Sequence, residues 1–144
     1  MSRFVLDNTV TMAWCFTEEA NDLTETLLGR LSSLTDTALV PALWLYEVAN
    51  VTELATRKGR ISAEKGSAFL ASLADLPIDV ESPILPLMFT SVRALAGRHK
   101  LTAYDASYLD LAIRRKLPLA TSDNALVRAA DAAGVDLVSV SPSL

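Results

Sequence analysis

Residues 101–123, LTAYDASYLDLAIRRKLPLATSD, read as a helix, a basic turn, a short buried strand and an acid at that strand's end. Thr102 is the expected N-cap, and Asp105 stands three residues on, an [ST]-x-x-[DE] capping box. Asp105 also shares a helical stripe with Leu101, Tyr108, Leu109 and Ala112. A carboxylate on an apolar face needs a partner. Arg114, Arg115 and Lys116 close the helix, where cations suit the negative end of its dipole. The apolar run 117–120 is then followed at once by Thr121, Ser122 and Asp123. A buried strand that delivers hydroxyls and an acid at its C-terminal end marks where open α/β sheets keep their sites.

Working outward, RFVL at 3–6 is a second short apolar strand, and Asp7 ends it as Asp123 ends the other. The plain role for Asp7 is a cap on the helix that follows to Phe16, with Val10, Trp14 and Cys15 facing the core. A helix over 20–34 carries Leu23, Leu27, Leu28, Leu31 and Leu34 on one face, and 38–40 is a strand ended by Pro41. The helix over 42–58 has an apolar stripe of Leu43, Val48, Val51, Leu54 and Ala55, and Glu47 falls inside it. Its plain role is a bond to a nearby arginine or to backbone; otherwise it needs a cation. Ser62 caps a helix to Leu73, 77–80 is a third strand, and Pro83 opens a helix to Gly97. Residues 125–133 are helical, Gly134 stops them, and 135–140 is a last strand.

The order β-α-α-β-α-α-β-α-α-β-α-β predicts an α/β fold, a short parallel sheet covered by helices on both faces. At 144 residues the chain is read as one domain, 1–144, large enough for a core without staples. The single cysteine excludes an internal disulfide and a cysteine zinc cluster, and fits a reducing compartment. The single histidine, His99, excludes a histidine-rich metal site and is read as a loop residue. No apolar run is long enough to span a membrane, and the acids at 7, 18 and 19 break any signal peptide. The expectation is a soluble cytoplasmic protein. The net charge of −4 opposes a general nucleic-acid binder, less so if some acids hold cations.

Asp7, Glu47, Asp105 and Asp123 each have a dull explanation alone. If they converge, they cannot stay unpaired, since two like charges ~4 Å apart repel by roughly 4 kcal/mol even at an effective dielectric near 20. Oxygen ligands without histidine or thiolate select Mg²⁺ or Mn²⁺. Such a site leaves positions open for water and phosphate oxygens, the setting of metal-assisted phosphodiester hydrolysis.

These segments match a family. FVLDNTVTMAWCF, PALWLYEVANV, LTAYDASYLDLA and LPLATSDNAL, in this order and spacing, make the chain resemble PIN-domain ribonucleases, most closely VapC-type toxins of toxin–antitoxin pairs. The resemblance covers nearly the whole chain. It implies a PIN-like three-layer α/β/α fold and a Mg²⁺- or Mn²⁺-dependent endoribonuclease acting on RNA. It implies that Asp7, Glu47, Asp105 and Asp123 form the acidic quartet. Asp7 and Asp105 would be the firmest metal ligands, with Glu47 and Asp123 completing the site directly or through water. Thr121 matches the hydroxyl residue that orients an acid or water. Asn8 departs from the small residue usual after the first Asp, and either reaches the site or caps the helix. Asp110 is read as surface charge. The resemblance further implies a VapB-type antitoxin whose C-terminal segment blocks the site, and a homodimer. RNA would be held by Arg57, Lys58 and Arg60, by Arg98 and Lys100, and by Arg114, Arg115 and Lys116; as plain sequence, these are solvated helix ends.

Two other readings stand beside it. FVLDNT faintly resembles the phosphoaspartate motif of haloacid-dehalogenase-like phosphatases, with Asp7 as nucleophile, but Thr9 stands where that motif wants a second Asp. A catalytically inactive PIN-fold interaction module is the other.

Overall fold

The computed structural model describes residues 2–140. Strand β1 (Ser2–Leu6) runs straight into helix α1 (Asn8–Ala13), and a single 3-10 turn (Thr17–Glu19) leads to α2 (Asp22–Ser32). Then come β2 (Asp36–Pro41), α3 (Leu43–Arg57), α4 (Ala63–Ala74) and β3 (Ile78–Glu81). A short turn of helix, α5 (Leu85–Leu87), widens into a π-helical turn (Met88–Val92) and continues as α6 (Arg93–His99). The chain ends with α7 (Ala103–Arg115), β4 (Leu119–Ala120) and α8 (Asn124–Ala133).

The strands form one parallel sheet in the order β3-β2-β1-β4, flanked by helices as the α/β reading expects. Phe4, Val5 and Leu6 are all buried, as a strand covered on both faces requires. From β1 the chain steps outward to β2 and β3, then returns to lay β4 on β1's other side. The order of strands therefore reverses between β1 and β4, and that crevice, at the strands' C-terminal ends, is where such sheets bind. Val5 pairs with Leu119 and Leu6 with Ala120, and the Asp7 N–H still donates to the Ala120 carbonyl at 3.1 Å. Asp7 and the 121–123 segment thus leave the sheet side by side.

Helix α7 is the central helix. Residues 106–112 are buried without a break, as in a helix packed on all sides. It ends at Lys116 in the left-handed conformation (φ 55°), a helix stop without the usual glycine. Trp44 of α3 is buried with its indole N–H donating to the Thr11 hydroxyl at 2.9 Å, which ties α3 to α1. No helix among the described residues is long and apolar enough to cross a membrane.

Four expectations need correction. The last strand, 135–140, reduces to one bridge, Leu119 with Leu137, because β4 is only two residues long and offers a single rung. The helix expected from Pro83 starts at Leu85, with Pro86 in the first turn where its missing N–H costs nothing. In α3 the expected stripe holds at Val48 and Ala55, which are buried, and at Leu43 and Val51, which pack against the core, but Leu54 faces out and Trp44 and Thr52 are buried as well. Leu34 lies beyond the end of α2, 62 % exposed with φ of 61°.

Candidate active site

Asp7 caps α1, accepting the Val10 N–H on Oδ1 at 3.1 Å, so its plain role is real. It is also buried, and two hydroxyls hold it: Thr9 donates to Oδ1 at 2.7 Å and Thr121 to Oδ2 at 2.5 Å. Burial lifts its pKa to about 6, against the lowering effect of those three bonds, and the charge of Asp123 adds to the rise.

Glu47 stands half-buried on α3 and takes the hydroxyl of Tyr108 from α7. Its partner is a neutral phenol, not the arginine or backbone group that sequence offered as the plain alternative. Burial raises its carboxyl above the ordinary range; the Tyr108 bond works against this, and the charges of Asp105 and Asp7 add to it. Asp105 lies in the first turn of α7, where its N–H bonds to the Thr102 hydroxyl at 3.0 Å. The capping box is one-way. Among the described residues the Asp105 carboxylate has no hydrogen-bond or ion-pair partner. Burial, then the charge of Asp123, pushes its pKa up.

Asp123 caps α8, accepting the Leu126 N–H on Oδ2 at 2.9 Å, and its own N–H donates to the Thr121 hydroxyl at 3.0 Å. The structure therefore brings the four acids from β1, α3, α7 and β4 into electrostatic reach of one another. Among the described residues none of them is ion-paired with lysine, arginine or histidine. Three of them are held toward their neutral forms. Yet no three His, Cys, Asp or Glu side chains among the described residues close in tightly enough to enclose an ion. Donor chemistry nonetheless suits a hard dication that keeps part of its water. A further hard oxygen, Asn8 Oδ1, is buried beside Asp7 without a partner. Asn8 is the first residue of α1, so the capping belongs to Asp7.

The basic clusters fare unevenly. Arg57 pairs with Glu53, Arg60 with Glu18 and Glu19, and Arg114 and Arg115 with Glu81. Lys58, Arg98, Lys100 and Lys116 have no ion-pair partner among the described residues. Asp110 is not surface charge. It is 3 % exposed, bonded to Arg114 at 2.7 Å and to the Ser91 hydroxyl at 2.8 Å. Its place on the helix, five residues past Asp105, does turn it away from the acids, but α7 has no outer face there to put it on.

Sequence reading missed Thr9 and Tyr108. Tyr108 was legible: a tyrosine on a buried stripe needs a partner for its hydroxyl, and it lies one turn from Asp105. Thr9 meets both Asp7 and the Ser122 N–H (2.9 Å), a contact between distant segments with no local signal.

Residues 4–132 match the PIN domain family model, and the chain belongs to the PIN domain family. Solved structures are similar in fold. One is PAE2754 from Pyrobaculum aerophilum, at 23 % identity and a TM-score of 0.67, covering 89 % of this chain and 84 % of that one. VapBC2 from Rickettsia felis, bound to a DNA fragment from the promoter, has 13 % identity and a TM-score of 0.67, with 94 % and 97 % covered. FitAcB from Neisseria gonorrhoeae has 18 % identity and a TM-score of 0.61, with 94 % and 96 % covered. No curated protein sequence matches the chain significantly. Family membership removes the dehalogenase-like alternative, and Thr9 is bonded to Asp7 where that motif would need an acid.

Proposed function

We propose that this chain is a cytoplasmic Mg²⁺- or Mn²⁺-dependent endoribonuclease, one PIN-like domain over 1–144, and the toxin of a VapC-type toxin–antitoxin module. The observation that carries the reading is the set of Asp7, Glu47, Asp105 and Asp123, gathered at the reversal of strand order and ion-paired with no lysine, arginine or histidine among the described residues. Asp105, with no partner among the described residues, and Asp7 would hold the ion, and Glu47 and Asp123 would complete its shell directly or through water. When bound, the ion supplies water activation and charge stabilisation at the leaving oxygen of a phosphodiester. The chain's own residues do the rest. Thr121 fixes Asp7 Oδ2, Tyr108 fixes Glu47, and burial keeps bulk water from competing for Asp7. Lys58, Arg98, Lys100 and Lys116 are free to meet RNA phosphates.

Likeness in fold to VapBC2 and FitAcB supports an antitoxin partner, a VapB-type chain whose C-terminal segment blocks the acids. An arginine in that segment would supply a cation to the acids. A homodimer would cover the exposed apolar residues Tyr46, Ile84, Leu85, Met88 and Phe89.

The test is cleavage of total RNA by purified protein. Cleavage should require Mg²⁺ or Mn²⁺, stop with EDTA, and fail in Asp7→Ala and Asp105→Ala proteins that keep their circular dichroism. Persistent cleavage in EDTA, or by Asp105→Ala, overturns the metal mechanism. Mapping RNA ends after induction identifies the substrate.

A further inference from the structure

We propose that Thr9 is a positioning residue that, with Thr121, orients Asp7 and ties it to Asp123; this rests on the metal-site reading above. The geometry is a matched pair of relays. The Ser122 N–H donates to the Thr9 hydroxyl oxygen at 2.9 Å, and that hydroxyl donates to Asp7 Oδ1 at 2.7 Å. The Asp123 N–H donates to the Thr121 hydroxyl oxygen at 3.0 Å, and that hydroxyl donates to Asp7 Oδ2 at 2.5 Å. Two consecutive backbone N–H groups thus reach the two oxygens of one carboxylate, each through a threonine.

The direction of the relay follows from donor and acceptor chemistry. A hydroxyl has one proton and two lone pairs, and an ionised carboxylate only accepts. Each backbone N–H occupies a lone pair of its threonine, so the hydroxyl proton is left to point at Asp7. Both oxygens of Asp7 are fixed, and with them its rotamer. The same bonds fasten the β1–α1 turn to the β4–α8 turn, which sets the spacing of Asp7 and Asp123. Thr9 is exposed, so core packing does not explain it. Without its hydroxyl, Asp7 Oδ1 keeps only the Val10 N–H, and the Ser122 N–H loses its acceptor.

The experiment compares wild type, Thr9→Val and Thr9→Ser. Valine keeps the shape of threonine without the hydroxyl, and serine restores the hydroxyl. Mn²⁺ binding to metal-free protein is titrated by calorimetry without RNA, amide exchange of Ser122 is followed by NMR, and RNA cleavage gives kcat and KM. Thr9→Val should bind Mn²⁺ roughly 10-fold more weakly, the scale of lost support to a metal ligand. Its Ser122 amide should exchange faster, and its kcat should fall while KM for RNA holds. Thr9→Ser should recover all three. Wild-type Mn²⁺ affinity in Thr9→Val, or no recovery in Thr9→Ser, overturns the role of Thr9 and leaves the nuclease reading standing. A wild-type protein that binds no Mn²⁺ overturns the metal reading, and the role of Thr9 with it.

Discussion

Tyr108 of α7 and Glu47 of α3, 61 residues apart in the chain, meet side chain to side chain, with the phenol donating to the carboxylate. Tyr108 is buried, and burial first, then the bond to Glu47, holds its hydroxyl far above the ordinary range, so the donor stays protonated at every working pH. Tyr108→Phe removes that donor and little else. Its stability should fall by about 1 kcal/mol in urea unfolding. Mn²⁺ affinity should fall roughly 10-fold in calorimetry. Unchanged affinity would take Glu47 out of the site.

Asp7 should make metal-free protein less stable as pH rises. Its pKa goes from 3.8 to about 6 on folding. Below pH ~4 the carboxyl is neutral in both states and costs nothing. Between ~4 and ~6 the unfolded chain ionises while the native carboxyl stays protonated, and above that window the cost, roughly 3 kcal/mol, is complete. Asp7→Asn has no such term. The difference in unfolding free energy between Asp7→Asn and wild type should therefore swing in the variant's favour across this window. Saturating Mn²⁺ should offset the effect in wild type alone. A difference that does not move with pH would contradict the burden placed on Asp7.

Asp105 separates stability from chemistry. Its carboxylate is partly buried, has no partner among the described residues and is pushed toward neutrality. Asp105→Asn should melt no lower than wild type in EDTA. Mn²⁺ should raise the melting temperature of wild type, as any ligand of the native state does, and leave the variant where it was. RNA cleavage by the variant should be lost.

The cluster Asp110, Arg114 and Glu81 holds α7 in place rather than serving the site. Arg114 bonds Asp110 at 2.7 Å and Glu81 at 2.6 Å, and both carboxylates are nearly covered. Arg114→Ala leaves buried Asp110 with no cation and Glu81 with Arg115 alone, and should cost about 2–3 kcal/mol, while the more exposed Arg115→Ala should cost under about 1 kcal/mol. The sign with pH is opposite to that of Asp7. Arg114 holds the Glu81 carboxyl below its ordinary value, so this contribution is present near neutrality and is lost as pH falls through the native pKa. Urea titrations of both variants at pH 7 and pH 4 check both statements.

Local order was readable in the chain because it is written in neighbours. Apolar runs marked β1, β2, β3 and β4, and helical spacing with caps at Asp7, Ser62 and Thr102 marked helices between them. Where a signal depends on what lies across the molecule, it misled. Residues 135–140 have the composition of a strand but find only a two-residue partner, and Asp110 looked exposed because nothing in sequence says that α7 is covered on every side.

The quartet divides in the same way. Sequence alone places Asp7 and Asp123 at strand ends, and Glu47 and Asp105 on inward helical faces, since period and position follow from the backbone. That β4 returns to the far side of β1, and so sets Thr121 and Ser122 against Asp7 and Thr9, is a matter of sheet order. Sheet order is decided by which buried faces fit together across the whole fold, and no stretch of residues carries that information locally.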